Sequence, residues 1–96
     1  MSRVYISGAI TGTSDFMERF EKAEDRLKRT GYDVVNSAKL NGIMPKDATH
    51  EEYMRMSFEL LDMCDAIYML EGWEESKGAN REYGYAVAAG IKVLRR

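Results

Sequence analysis

Ser76, Gly78 and Glu82, spaced Ser-x-Gly-x-x-x-Glu within the stretch SKGANREYGYAVAAG (76–90), are residue types that could together do chemistry. A serine and glycine turn leading into a helix leaves the backbone N–H groups of Ala79 to Arg81 without intrahelical partners, so the turn can accept an anion. The spacing predicts Glu82 in the first turn of that helix, where the positive end of the dipole favours an ionised carboxylate. Two readings fit this pattern. One is a capped helix whose acid complements the dipole, and the other is a nucleophile beside an anion-binding turn. A second turn of the same kind lies in ISGAITGTS (6–14), where Gly8 and Gly12 stand four apart between an apolar run and a helical pattern. Glycines there let a ligand approach the backbone, although an ordinary tight strand-to-helix turn also accounts for them. The pattern is not GxGxxG and lacks the Walker lysine, so a dinucleotide or ATP-hydrolysing site has little support and no cofactor is expected.

The elements that must position these residues follow an alternating order. RVYISG (3–8) reads as a first strand, and Phe16, Phe20, Ala23 and Leu27 recur at helical spacing from about Asp15 to Thr30, with Gly31 as the stop. YDVVN (32–36) is a second strand, and SAKLNGIMPKDA is the one long loop. THEE (49–52) matches the reciprocal capping pattern and opens a helix through about Met63. Asp65 directly precedes the apolar run and is expected to be a turn or cap residue. DAIYML (65–70) is a nearly all-apolar third strand, as expected at the centre of a parallel sheet. A helix over 79–90, with Tyr83, Ala86, Val87 and Gly90 on its packing stripe, and a last strand IKVLR complete the order β-α-β-α-β-α-β. Right-handed crossovers turn that order into a three-layer flavodoxin-like or Rossmann-like α/β fold with a four-stranded parallel sheet, the first strand lying between the second and third. Ligands of such sheets sit at the carboxyl ends of the strands, where both glycine turns fall.

With 96 residues the chain is expected to form a single domain, 1–96. Its formal net charge of −2, from 14 Lys and Arg against 16 Asp and Glu, offers no basic face for a nucleic-acid polymer. No apolar stretch reaches membrane-spanning length and the start does not resemble a signal peptide, so a cytoplasmic protein with no membrane partner is expected. One cysteine, Cys64, and one histidine, His50, cannot supply a structural zinc site, and no metal is expected.

The two motifs together resemble the nucleoside 2-deoxyribosyltransferase superfamily, which includes the 2′-deoxynucleoside 5′-phosphate N-hydrolases. The family's aromatic followed by Gly-x-Ile-x-Gly is matched by Tyr5, Gly8, Ile10 and Gly12, and its Ser-x-Gly-x-x-x-Glu-x-Gly-x-Ala with a following Gly-x-x-Val turn by Ser76, Gly78, Glu82, Gly84, Ala86, Gly90 and Val93. The resemblance implies a double displacement at a sugar anomeric carbon. In that reading Glu82 attacks C1′ of a nucleoside or its 5′-monophosphate, the base leaves, and water or a second base resolves the glycosyl-enzyme. It further implies that Tyr5 orients Glu82, that the Gly8–Gly12 loop with Ile10, together with Ser76 and Gly78, holds sugar and 5′-phosphate, and that Asn80 or Trp73 faces the base. Trp73 alternatively covers a sheet edge. Relatives carry an aspartate eight residues before the Asp65 position, as proton donor to the departing base; this chain has Ser57, assigned here to the substrate pocket. Many relatives also continue beyond the position of Arg96 into a segment that completes a neighbouring subunit's pocket, so a site that is more open, or finished by a different surface, is expected. Ser57 keeps a second class open, a non-catalytic nucleotide-binding module such as a sensor or a protein that sequesters a nucleotide signal. Met54, Met56 and Met63 on the second helix, with the oligomeric habit of the family, imply a homo-oligomer.

Overall fold

The computed structural model describes residues 2–10 and 12–95. Four strands, β1 (Arg3–Ser7), β2 (Asp33–Asn36), β3 (Ala66–Met69) and β4 (Lys92–Arg95), alternate with three helices, α1 (Phe16–Arg29), α2 (His50–Asp62) and α3 (Lys77–Ala88). All pairings are parallel and the spatial order is β2-β1-β3-β4, so the first strand does lie between the second and third. Register places Tyr5 beside Val35 on one flank and Ile67 on the other.

Successive side chains of a strand face opposite sides of a sheet, and β1 divides the core accordingly. Val4 and Ile6 join Phe20, Ala23 and Leu27 of α1 in one apolar cluster, with Tyr68 and Leu70. Tyr5 faces the other side, among Leu61 of α2, Ile67 and Met69 of β3, and Ala79 and Ala86 of α3. The molecule therefore has three layers, with α1 on one face and α2 and α3 on the other.

The local signals act largely as expected. Thr49 and Glu52 exchange both capping hydrogen bonds, Glu52 N–H to Thr49 Oγ1 at 3.1 Å and Thr49 N–H to Glu52 Oε1 at 2.8 Å. Gly31, just past the end of α1, has φ 99°, a left-handed conformation that favours glycine. Asp65 ties two strands together by accepting from the Arg3 backbone N–H at 2.9 Å and donating its own N–H to Arg3 at 2.8 Å.

Three expectations change. The stretch after β2 is not all loop, because Ser37–Gly42 forms a 3-10 helix. Asn36 starts it, its Oδ1 accepting from Ala38 N–H at 3.0 Å while its Nδ2 donates to the buried Glu24 at 3.0 Å. Glu24 is also paired with Lys28 at 2.7 Å and Lys39 at 3.4 Å. Burial alone would push the Glu24 carboxyl up, but those partners outweigh it and hold it below the usual range. Second, α3 begins two residues early, at Lys77, because the Ser76 hydroxyl caps it by accepting from Ala79 N–H at 3.1 Å. Third, the packing stripe of α3 is Ala79, Glu82 and Ala86, whereas Val87 is 54 % exposed. Of the methionines expected to form an association surface, Met54 is buried, and Met56 and Met63 are exposed.

Asn36→Ala removes both the cap and the donor to Glu24, and the expected loss is about 1–3 kcal/mol of unfolding free energy, read from urea denaturation. A change of only a few tenths would show that the Glu24–Asn36 link does not hold this turn.

Candidate active site

The parity that puts Tyr5 on the α3 face of β1 also puts Ser7 there, two residues on. Both side chains are fully buried, and both meet Glu82. Tyr5 Oη donates to Glu82 Oε2 at 2.5 Å and Ser7 Oγ donates to Oε1 at 2.6 Å, so each carboxylate oxygen receives one hydroxyl. The union spans more than seventy residues of sequence and joins the central strand to the last helix.

Glu82 is the sixth residue of α3 and lies in its second turn, beyond the reach of first-turn dipole effects. The expectation that the dipole favours its ionised form is corrected: burial is the largest influence and raises its pKa, only partly offset by the hydroxyls of Ser7, Tyr5 and Ser57 and by the charge of His50. Tyr5 is held well above the ordinary phenol range, by burial first and then by the Glu82 charge. It therefore remains a protonated donor wherever Glu82 is ionised.

Glu82 forms part of the wall of a cleft of about 180 Å³ at the carboxyl ends of the strands. Gly8 and Ile10 line it from the end of β1, Ser37 and Asn41 from the 3-10 helix, His50, Tyr53 and Met54 from α2, and Ser76, Gly78 and Ala79 from the start of α3. Gly8 is small because Leu70 backs it: a Cβ there would stand 2.9 Å from Leu70 Cδ1. A Cβ on Gly78 would meet His50 Cε1 and Met54 Sδ at 3.7 Å, an ordinary contact that would narrow the opening. At the rim, Arg81 pairs with Glu51 through two contacts of 2.8 and 3.1 Å, clasping α3 to α2.

The cleft thus gathers Gly8, Ile10, Ser76, Gly78 and Glu82, with Tyr5 behind Glu82. Ser57 is fully buried and does not line the cleft; it sits close enough to favour the charged forms of Tyr5 and Glu82, but outside good hydrogen-bond geometry with either. Three expected residues stand elsewhere. Gly12 turns the chain at φ 83° and is not among the lining residues. Trp73 stacks on Tyr83 with ring centroids 4.8 Å apart, packing beside the sheet rather than facing the cleft. Asn80 is turned back on its own turn, donating to the carbonyls of Glu74 and Ser76 at 3.0 and 2.7 Å.

Sequence reasoning did not single out Ser7, His50 or Tyr53 for this site. Strand alternation from Tyr5 marks Ser7, and the helical series His50, Tyr53, Ser57, Leu61 marks one face of α2. Among the described residues, no group of three or more His, Cys, Asp or Glu side chains is arranged to hold a metal ion. Among them, too, no helix is long and apolar enough to cross a membrane. Cys64 is buried away from the cleft, and burial raises its thiol to about 11.

Comparison with known proteins agrees with this architecture. The structure of the Clostridium botulinum CMP N-glycosidase BcmB is similar, with a TM-score of 0.67 and 22 % identity, over 97 % of this chain and 69 % of that one. At that identity the likeness establishes the fold alone, a three-layer α/β fold with a parallel sheet. No curated protein matches the sequence. The family model described as Domain of unknown function (DUF4406) matches residues 2–95, nearly the whole length, and the chain belongs to that family.

Proposed function

We propose that the cleft breaks or transfers the N-glycosidic bond of a nucleoside or nucleoside 5′-monophosphate, with Glu82 as nucleophile. The observation that carries this reading is a buried carboxylate fixed by two hydroxyl donors on the wall of a cleft that begins a helix. A Glu82 oxygen attacks C1′, the C1′–N bond breaks with its electron pair leaving on the base, and a glycosyl ester forms. The departing base takes its proton from water. Water or a second base then attacks C1′ and frees Glu82. The N–H groups of Ala79 and Asn80, expected to be open to an anion, are taken by the Ser76 hydroxyl and carbonyl, which leaves the N–H groups of Lys77 and Gly78 at the start of α3 to suit a 5′-phosphate. The fold shared with a CMP N-glycosidase supports the choice of bond.

A second reading, a nucleotide-binding module without turnover, is favoured by one observation: Glu82 is the only carboxylate lining the cleft among the described residues. Incubation with a panel of ribo- and deoxyribonucleosides and their 5′-monophosphates, with free base read by chromatography, separates the two. Wild type is expected to release base, and Glu82→Gln to lower release by about 10³-fold or more while keeping its circular dichroism spectrum. Tight binding of a nucleotide with no release from any substrate would establish the binding module instead.

Burial of Glu82 has a second measurable result. Because its folded pKa is raised, the folded state holds the proton more tightly than the unfolded state does. The resulting stability is fully present below the unfolded pKa and is lost as pH rises through the folded one. Glu82→Gln should therefore melt above wild type at pH 8, with the gain shrinking towards pH 4. The same shift places the acid limb of kcat/KM above the usual carboxylate range. A variant that melts lower at every pH would show that the hydrogen bonds from Tyr5 and Ser7 to Glu82 serve the fold.

Ser57→Asp introduces a second carboxyl beside Glu82, and two neighbouring carboxyls keep one proton between them. Because position 57 is sealed from the cleft but beside Glu82, the variant should cost stability in a melt and act only through Glu82, moving the acid limb of kcat/KM to higher pH. An unchanged pH profile in a folded variant would show that position 57 does not influence Glu82.

A further inference from the structure

Among the described residues, two buried side-chain oxygens have no hydrogen-bond partner, Tyr53 Oη and Ser57 Oγ. Ser57 is sealed away from the cleft, but Tyr53 lines it. A hydroxyl taken out of water and left unpaired is destabilising, so its retention points to a partner that arrives with a ligand. Tyr53 and Glu82 line the same cleft, and burial, followed by the Glu82 charge, raises the pKa of the phenol. A phenol so disfavoured as an acid is a poor proton donor to a leaving base, but it both donates to and accepts from another hydroxyl.

Where that hydroxyl would meet a substrate follows from the chemistry of attack. A Glu82 oxygen aimed at C1′ fixes the sugar ring against α3. C2′ is bonded directly to C1′, so a polar group near Glu82 reaches the 2′ substituent before the 3′ or 5′ positions. The turn at Ser76 and Gly78 takes the phosphate end.

Resting on the glycosidase reading of this cleft, we propose that Tyr53 Oη pairs with the substrate 2′-hydroxyl and makes ribonucleoside 5′-monophosphates, rather than their 2′-deoxy counterparts, the preferred class. A site built to pair a substrate hydroxyl discriminates against the analogue that lacks it, because its own polar group is then left buried and unpaired. Tyr53 is in this account a specificity residue, whose partner is the sugar rather than the reacting atoms.

Binding measured by calorimetry in the Glu82→Gln background tests this without depending on turnover, using the matched pairs CMP and dCMP, AMP and dAMP, GMP and dGMP, and UMP and dUMP. The ribo member of at least one pair is expected to bind about 10-fold or more tighter than its deoxy partner. Adding Tyr53→Phe should weaken that ribonucleotide by about 10- to 100-fold, shift the deoxynucleotide less than about threefold, and bring the ratio near one. Tyr53→Phe in the otherwise wild-type protein should melt at or above wild type, because it deletes an unpaired buried hydroxyl.

A deoxy preference in every pair, a ribo-to-deoxy ratio that survives Tyr53→Phe, or a melting point several degrees lower would each overturn the proposal. If no member of any pair binds, the proposal and the glycosidase reading fall together. If Tyr53-dependent ribo selectivity appears while wild type releases no base, the proposal stands and the glycosidase reading alone falls.

Discussion

A single carboxylate, held inside the protein by two hydroxyls from the central strand, is the constraint on which the rest of the site depends. Tyr5 and Ser7 can reach Glu82 together only because β1 is flanked on both sides and its alternation is fixed. A slip of one residue would turn Tyr5 and Ser7 to the α1 face and present Val4 and Ile6 to Glu82. The pairing of β1 with both β2 and β3, and the tie between Asp65 and Arg3 at its start, thus set the register on which the Tyr5 and Ser7 contacts to Glu82 rest. The apolar cores on the two faces serve the same end. Each rewards one orientation of the strand and penalises the other.

Holding a carboxylate at 7 % exposure runs against the usual preference of charged groups for water. The protein answers with neutral donors instead of a cation, and the consequence is chemical. A carboxylate locked in an ion pair would have its charge spent on its partner, whereas one held by hydroxyls keeps its lone pairs available and is oriented without being neutralised. Glu24 provides the contrast within the same molecule. It is also buried, but Lys28 and Lys39 hold it in its charged form and Asn36 ties it to the turn bearing Ser37. One buried acid is built to stay charged and structural. The other is left poised.

Much of this was legible in the sequence, and the parts that were not have identifiable causes. The alternation of strands and helices, the sheet order and the Thr49–Glu52 cap followed from periodicity and local hydrogen-bonding chemistry, which depend on neighbours in the chain. Tyr5 as the partner of Glu82 came from the family resemblance and is now seen as a hydrogen bond. Its depth was misjudged, because a turn position was inferred for Glu82 where the stripe Ala79, Glu82, Ala86 marks a packing face. The resemblance implied a base-facing role for Asn80 or Trp73, but both are engaged locally, the indole by a neighbouring ring and the amide by the carbonyls of its own turn. Helical spacing puts Tyr53 on one face of α2 but does not mark it for the site. Its significance lies in a missing partner, which is a property of three dimensions.

The division of the cleft between two helices also bears on how such a site can diversify. Glu82, Tyr5 and Ser7 belong to the core, so any substitution there is felt by packing on the sheet as well as by the reaction. The opposite wall, His50, Tyr53 and Met54, projects from the opening turns of α2, whose start is secured separately by the Thr49–Glu52 cap and by the Arg81–Glu51 clasp at the rim. Mutational drift therefore has an asymmetric landscape: the Glu82 wall is constrained by the same residues that fold the domain, whereas on the facing wall only Met54 is buried in the core. A lineage built on this scaffold can rewrite what it recognises at His50 and Tyr53 at less cost to its fold.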